Sequence, residues 1–129
     1  MHKWEVCPVV SVGNIKFGMS RENVHALFEE KCKEFKKNMF SKNTTDDYGD
    51  FHVFYTIDDK VEAVEVFGEV ELTMDGRVIF PMDASDIEKA FPGIEKDGNS
   101  YIHIEKSIGI EVENGKADSI LFGAKGYYE

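Results

Sequence analysis

Two fourteen-residue phrases in this chain resemble each other closely enough to limit how it can fold. Residues 15–28 read IKFGMSRENVHALF, and residues 78–91 read VIFPMDASDIEKAF. The phrases align without a gap, which places Met19 over Met82. A match of this kind predicts a tandem duplication in which each copy builds the same structural unit.

Each phrase predicts a helix that begins after a capping residue. Ser20 in the first phrase and Asp83 in the second carry side-chain oxygens that accept hydrogen bonds from the first turn of a helix. Apolar residues then recur at spacings of three and four, which is typical of a helix with one face on a core. These residues are Val24, Leu27, Phe28, Ile87, Ala90 and Phe91.

The two predicted helices differ in length. Pro92 and Gly93 end the second helix, because proline and glycine are typical of helix C-termini. No such signal follows the first phrase. We expect the first helix to continue through residues 29–40, with Phe35 and Met39 extending its apolar stripe.

A hairpin phrase follows each helix phrase. Residues 51–68 and residues 107–123 each contain two extended runs around a tight turn. The second turn is Asn114–Gly115, a pair that tolerates positive φ at both central positions of a hairpin. The first turn contains Asp58–Asp59. Further strands are predicted within residues 69–80 and 100–106.

The predicted fold class is therefore α+β. Two tandem helix–hairpin units, spanning about residues 13–72 and 76–123, are expected to share one antiparallel sheet with both helices packed on one face. Each unit alone is near the lower size limit of a stable domain, so we expect residues 1–129 to form a single domain.

The first helix phrase resembles the opening of small helix-plus-sheet domains of the SmpA/OmlA and beta-lactamase-inhibitory-protein type. The residues that carry the resemblance are Gly18, Met19, Ser20, Val24, Leu27 and Phe28. The second phrase departs from this pattern at Pro81 and Asp83. The tandem arrangement is also similar to that of bacterial immunity proteins. The resemblance implies a protein that grips another protein with the face of its sheet.

The charge balance favours a basic partner and argues against nucleic acid or anionic lipid. The net charge is −10, and residues 43–129 hold twenty of the twenty-five acidic residues. Such a surface repels phosphates and speeds encounter with a basic protein. Solubility alone is the other explanation of this charge. The absence of a long apolar run or a signal sequence predicts a cytoplasmic protein, in which Cys7 and Cys32 remain thiols.

No residue pattern in the sequence indicates catalysis, a metal or a cofactor. The four histidines and two cysteines do not stand at metal-ligand spacing. The pairs Asp46–Asp47 and Asp58–Asp59 are interpreted as solvated turn residues, because acid–base catalysis needs carboxylates in different environments. We therefore expect a non-enzymatic protein without a cofactor.

One stretch predicts an acidic sheet face with an aromatic centre. In residues 61–74 the set Val64, Val66, Val70, Leu72 and Met74 shares one parity and is expected to face the core. The opposite parity carries Val61, Ala63, Glu65, Phe67, Glu69 and Glu71. A bulge at Gly68 would reverse the parity after it. An ordinary solvated sheet face is the other interpretation.

These observations favour an immunity-type inhibitor that neutralises a cognate basic toxin of the nuclease type. Carboxylates would stand in for phosphates, and two aromatic residues would supply apolar anchors. The predicted partner-binding residues are Asp58, Asp59, Glu62, Glu65, Phe67, Glu69, Glu71 and Tyr55. The alternatives are an envelope or scaffold interaction module of the same fold, and a small-ligand-binding protein. The C-terminal Tyr127–Tyr128 is either a disordered tail or an anchor.

Overall fold

Strands make up most of the regular structure. The computed structural model describes residues 1–36 and 38–129, and 47 % of residues lie in strands against 11 % in helices. The strands are β1 His2–Cys7, β2 Ser11–Val12, β3 Ile15–Lys16, β4 Lys33–Phe35, β5 Thr45–Asp47, β6 Phe51–Tyr55, β7 Val61–Val66, β8 Val70–Met74, β9 Arg77–Phe80, β10 Glu95–Asp97, β11 Ser100–His103, β12 Ile108–Glu113 and β13 Lys116–Gly123. The α-helices are α1 Arg21–Leu27 and α2 Ile87–Ala90, and a 3-10 turn at Ala84–Asp86 precedes α2.

The predicted α+β fold, with two helices packed on one face of a single sheet, is wrong. The strands form two sheets, one of eight strands and one of five. The helices are too short to form a layer, since α1 has seven residues and α2 has four. Val24 is fully buried, whereas Leu27 remains 39 % exposed. The apolar spacing therefore anchors two short helices, of one or two turns each, on the core and does not build a helical layer.

The predicted extension of the first helix through residues 29–40 is also wrong. Phe28 already has extended backbone angles, with φ −123° and ψ 135°. The following letters EEKCKE offer almost no apolar side chain for a helical face to bury. The chain instead places β4 at the edge of the larger sheet, paired with β5. Lys37, which falls in this stretch, lies outside the described residues.

The eight-stranded sheet, called the large sheet, is built around two hairpins. Its strand order is β10-β11-β12-β13-β7-β6-β5-β4, and all of its pairings are antiparallel. The predicted turns are confirmed: Asp59 has φ 58°, and Asn114 and Gly115 have φ 52° and 78°. The hairpins β6–β7 and β12–β13 meet at the centre, where β7 pairs with β13 and Glu65 lies opposite Leu121.

The two helix phrases dock on these hairpins through matching main-chain contacts. Ser20 forms an isolated bridge with Lys60, and Asp83 forms one with Lys116. The two bridges join equivalent positions of the aligned phrases. The boundaries of the tandem units, residues 13–72 and 76–123, stay a prediction.

A second pair of hydrogen bonds repeats the match. The Val61 N–H donates to the Met19 carbonyl at 2.9 Å, and the Ala117 N–H donates to the Met82 carbonyl at 2.9 Å. The helix starts differ, however. The Ser20 hydroxyl accepts a hydrogen bond from the Asn23 N–H, as predicted, whereas Asp83 makes no side-chain cap.

The five-stranded sheet is called the small sheet. It contains β8 and β9, within residues 69–80, which were expected to belong to the same sheet as the hairpins. Its order is β3-β2-β1-β8-β9, with β1 parallel to β8. Buried residues of both sheets and both helices pack in one hydrophobic cluster. It includes Val6, Val12, Leu72 and Ile79 from the small sheet, Val53, Val64, Ile110, Ile120 and Phe122 from the large sheet, and Val24 and Ile87 from the helices.

The chain crosses from the large sheet to the small sheet at residues 67–69. The Asp50 carbonyl accepts hydrogen bonds from the N–H groups of Phe67 and Gly68, and the Asp50 side chain accepts one from the Glu69 N–H. A Cβ atom at Gly68 would lie 2.6 Å from the Cα atom of Asp50. Glycine is therefore required here because the backbone of Asp50 fills the space of a side chain.

None of the helices among the described residues is both long enough and apolar enough to cross a lipid bilayer.

The contact at Gly68 gives a stability prediction. Gly68→Ala should lower the free energy of unfolding by roughly 1–3 kcal/mol, because the added methyl group meets the Cα atom of Asp50, a backbone atom that cannot move independently, as well as the Asp50 side chain. Urea denaturation followed by circular dichroism measures the change. Glu69→Ala is the matched control, since the side chain is exposed and only its N–H is used. An equal loss in both variants would show that the close contact is not the cause.

Candidate functional site

The face of the large sheet that points away from the core is called the outer face. One row of paired residues crosses seven of its strands. It runs through Glu95, Ile102, Gly109, Leu121, Glu65, His52 and Asp47. Alternate residues on the same strands, such as Val64, Val66 and Ile120, are fully buried in the core. The pleat of the sheet therefore separates a polar outer face from an apolar inner one.

A bulge sets which residues of β7 reach the outer face. The pairing of β6 with β7 shifts between Phe54 and Tyr55, so that Tyr55 lies opposite Val61 while Phe54 lies opposite Ala63. Val61 and Val64 are consequently both buried, although they are three residues apart. The strict alternation predicted from Val61 onward is wrong for this reason, and the break in parity occurs before Gly68.

His52 lies at the centre of a shallow concavity on the outer face. Its Nε2 atom is 3.3 Å from Asp47 Oδ1, and its Nδ1 atom is 3.6 Å from Glu65 Oε1. Its ring packs edge-on against Phe67, with 4.6 Å between centroids. The concavity measures about 420 Å³ and is lined by Asp47, Gly49, His52, Glu65, Phe67, Asp118 and Ser119. It brings three carboxylates around one aromatic pair.

Tyr127 and Tyr128 dock on the same face instead of forming a free tail. A Cβ atom at Gly123 would lie 2.5 Å from Tyr127 Cγ, and one at Gly109 would lie 2.9 Å from Tyr128 Cζ. Both tyrosines are half-buried. The two glycines thus leave the space in which the aromatic rings sit.

The pKa values of these tyrosines report the acidic surroundings. Burial raises the pKa of Tyr127, and the charges of Glu62 and Glu65 raise it further. Burial also raises the pKa of Tyr128, to about 12, with contributions from Tyr127, Glu65 and Glu111. Acidic side chains therefore surround the tyrosine pair as well as the concavity.

The predicted partner-binding residues lie in separate regions of the structure. Glu62, Glu65 and Phe67 meet at or beside the concavity and the tyrosine pair. Glu71 belongs to the small sheet, where it lies opposite Lys3. Glu69 is exposed in the crossing segment.

Two further predicted residues, Tyr55 and Asp59, belong to a different feature, a polar cluster beneath α1. Tyr55 is only 5 % exposed, and its hydroxyl donates to Asp46 Oδ2 at 2.7 Å, so it cannot serve as a surface anchor. Asp59 accepts a hydrogen bond from Arg21 at 3.0 Å. Asp58 is exposed in the same turn.

Asp46 is the centre of this polar cluster. It is fully buried, and it belongs to β5, not to the solvated turn that the sequence predicts. Its Oδ1 atom lies 3.0 Å from Arg21 Nη2, and its Oδ2 atom lies 2.7 Å from His25 Nε2. Burial opposes the charge, but the hydrogen bonds from Arg21, Tyr55 and His25 outweigh it and lower the pKa of the Asp46 carboxyl.

Arg21 links this carboxylate to two neighbouring segments. Its Nη2 atom also donates to the Thr44 carbonyl and hydroxyl, and its Nη1 atom donates to Asn43 and Asp59. Its guanidinium lies 4.3 Å from the ring centre of Tyr55. Burial works to lower the pKa of Arg21, but its acidic partners raise it above the ordinary value. The start of α1 is thereby fixed to residues 43–46 and to the β6–β7 turn.

Cys32 lies beside the same histidine. Its Sγ atom is 3.7 Å from His25 Nε2, the ring nitrogen that also faces Asp46. A nucleophile–histidine–carboxylate relay needs the two ring nitrogens to serve different partners, and this geometry does not provide that. Burial and the charge of Asp46 raise the pKa of the Cys32 thiol, which also disfavours a nucleophilic thiolate.

The sequence reasoning missed this cluster. His25, Cys32 and Asp46 are separated by seven and fourteen residues, which is no metal or catalytic motif, and the pair Asp46–Asp47 looks like a turn. The one signal that could have singled out Asp46 is the threonine run before it, which is typical of a strand. Comparisons with models of protein families, with curated proteins and with solved structures give no match.

The buried carboxylate gives a second prediction. Asp46→Asn should lower the free energy of unfolding at pH 7 by about 3–5 kcal/mol, because it leaves the Arg21 charge without its buried partner. Since the folded-state pKa of Asp46 is lowered, the stabilisation is present above the ordinary aspartate pKa of about 3.9 and is lost as the pH falls below it. Urea denaturation between pH 7 and pH 3 measures the difference between the two proteins.

Asp47→Asn is the control for this measurement. Asp47 is the next residue in β5, but its side chain is 34 % exposed on the outer face. It should change stability little at any of these pH values. Two results would contradict this role of Asp46. One is a similar loss of unfolding free energy in both variants, and the other is a difference in unfolding free energy between wild type and Asp46→Asn that stays the same as the pH falls.

Proposed function

We propose that this protein is an immunity-type inhibitor that binds a basic protein, such as a toxin that cuts nucleic acid, through the outer face of the large sheet. The observation that carries the proposal is the concavity around His52 and Phe67, with the carboxylates of Asp47, Glu65 and Asp118 at its border. The net charge of −10 supports the same kind of partner.

The chemistry of this face suits a protein partner. Protein interfaces combine aromatic groups at the centre with polar groups at the rim, and aromatic side chains often supply much of the binding energy. Phe67 is half-buried, so part of its ring can still contact a partner. Tyr127 and Tyr128 add apolar area next to the acids.

The arrangement of the carboxylates also complements the basic cleft with which a partner would bind nucleic acid. Glu65 and Asp118 line the same concavity from the neighbouring strands β7 and β13. A nuclease must present basic side chains to the phosphates of its substrate, and carboxylates that border one concavity can pair with those basic side chains instead. Binding of this kind is rapid at low ionic strength and weakens as salt screens the charges.

The proposed surface replaces part of the set predicted from the sequence. Glu62, Glu65 and Phe67 remain, while Tyr55 is excluded because it is buried. Asp47, His52 and Asp118, which the sequence did not single out for binding, join the surface. Tyr127 and Tyr128, for which the sequence left a tail and an anchor as alternatives, are taken as anchors.

Charge reversal on this face tests the proposal. The wild-type protein, immobilised, first captures its partner from a lysate of the native cell, and the purified partner is then used in stopped-flow association. Glu65→Lys with Asp118→Lys should slow association by roughly tenfold at low salt and reduce its salt dependence. The double variant should also lose inhibition of the partner's activity.

The matched control changes the net charge equally at another place. Asp75→Lys with Glu88→Lys alters the β8–β9 turn and α2, where both side chains are exposed. It should retain nearly the wild-type rate. Equal effects of the two double variants would show that only net charge matters, and capture of a partner that is not basic would overturn the proposal. Circular dichroism must first show that each variant is folded.

A further inference from the structure

We propose that His25, Cys32 and Asp46 bind a zinc ion, a property independent of the proposed inhibitor function. The His25 Nε2, Cys32 Sγ and Asp46 carboxylate oxygen atoms all lie within 4.8 Å of one another. Cys32 Sγ and Asp46 Oδ2 both lie next to His25 Nε2, which rules out a proton relay through the ring. The same arrangement places three possible metal ligands around a single point.

The separations are close to those of a tetrahedral zinc site. Zinc bonds of about 2.3 Å to sulfur and about 2.0 Å to nitrogen place the two donors roughly 3.5 Å apart. The distance between Cys32 Sγ and His25 Nε2 is 3.7 Å. The His25 Nε2 to Asp46 Oδ2 distance of 2.7 Å must widen by roughly 0.7 Å for both atoms to bind zinc. His25 can make this movement, because its side chain is 43 % exposed.

The donor types select the class of ion. A thiolate with an imidazole and one carboxylate suits zinc or cobalt(II), whereas magnesium and calcium prefer oxygen ligands alone. The sequence-based expectation of no metal rested on spacing along the chain. The fold brings the donors together from α1, the segment after it and β5.

The surroundings hold the carboxylate in place. Tyr55 and Arg21 both donate to Asp46, which is how outer partners orient metal ligands. The positive charge of Arg21 opposes a cation. The thiolate of Cys32, the carboxylate of Asp46 and the nearby Glu34, whose Oε1 atom is 3.8 Å from Arg21 Nη2, offset that charge.

A concavity of about 370 Å³ gives solvent access to two of the donors, His25 and Cys32. It is lined by His25, Phe28, Glu29, Glu30, Lys31, Cys32, Glu34 and Tyr48. A water molecule or one of the three glutamates can complete the coordination from this side. On binding, Cys32 loses its thiol proton to solvent. The neutral His25 ring moves its proton from Nε2, where it donates to Asp46, to Nδ1, so that Nε2 can face the metal. One proton is released for each zinc ion.

Cobalt(II) titration of the tag-free full chain tests the site, because thiolate–cobalt charge transfer absorbs in the near ultraviolet. We expect this absorption at one ion per chain, displacement of the cobalt by zinc, and a higher thermal midpoint with zinc but not with magnesium. Cys32→Ser should abolish the absorption and weaken zinc binding on the order of 100-fold. Removing a residue that only orients a metal ligand already lowers metal affinity by about 10- to 100-fold, and Cys32 would bind the ion directly. His25→Gln should weaken binding similarly.

Cys7→Ser is the matched control, since Cys7 is the other thiol of the chain and lies exposed in β1. It should retain the absorption and the affinity of the wild type. Absence of the absorption in the wild type, its survival in Cys32→Ser, or its loss in Cys7→Ser would each overturn the proposal. Asp46 is left unchanged in these experiments because its substitution also removes the partner of Arg21.

Discussion

The buried ion pair between Arg21 and Asp46 determines how the first half of the chain is assembled. A charge removed from water must be matched by a partner and by hydrogen bonds. Here Asp46 receives hydrogen bonds from three side chains, and Arg21 reaches two further segments. A seven-residue helix with one fully buried side chain has little apolar contact of its own. The polar cluster fixes its direction, and with it the position of His25 above Cys32.

The second half of the chain reaches a similar arrangement without such a cluster. Ala84 stands where the alignment of the phrases would place Arg21, so no guanidinium is available there. The helix start is held instead by main-chain bonds to the β12–β13 turn and by burial of Ile87 and Phe91. The central pairing of β7 with β13 then joins both halves in one sheet. The two halves therefore share equivalent main-chain contacts at the helix starts, although the side chains around those contacts differ.

Local features of the sequence were enough to predict the parts of the fold that depend on neighbouring residues. The caps and turns at Ser20, Asp59 and Asn114–Gly115 follow from side-chain and backbone preferences within a few residues. The layering did not follow, because α1 and α2 stop after one or two turns and residues 69–80 leave for a second sheet. That departure depends on a contact between Gly68 and Asp50, eighteen positions apart. The candidate sites were predicted only in part, since the bulge opposite Tyr55 and the burial of Asp46 are set by tertiary packing.

The strands at the two edges of the large sheet are short and charged. β10 is Glu95–Asp97, with all three residues exposed, and β4 begins with Lys33 and Glu34. Charged, three-residue edges discourage another chain from adding a strand. Sheet extension by an incoming peptide, or stacking of molecules edge to edge into fibres, is therefore disfavoured at both margins. Recognition by the large sheet is consequently left to its side-chain surfaces, where shape and charge can distinguish one partner from another.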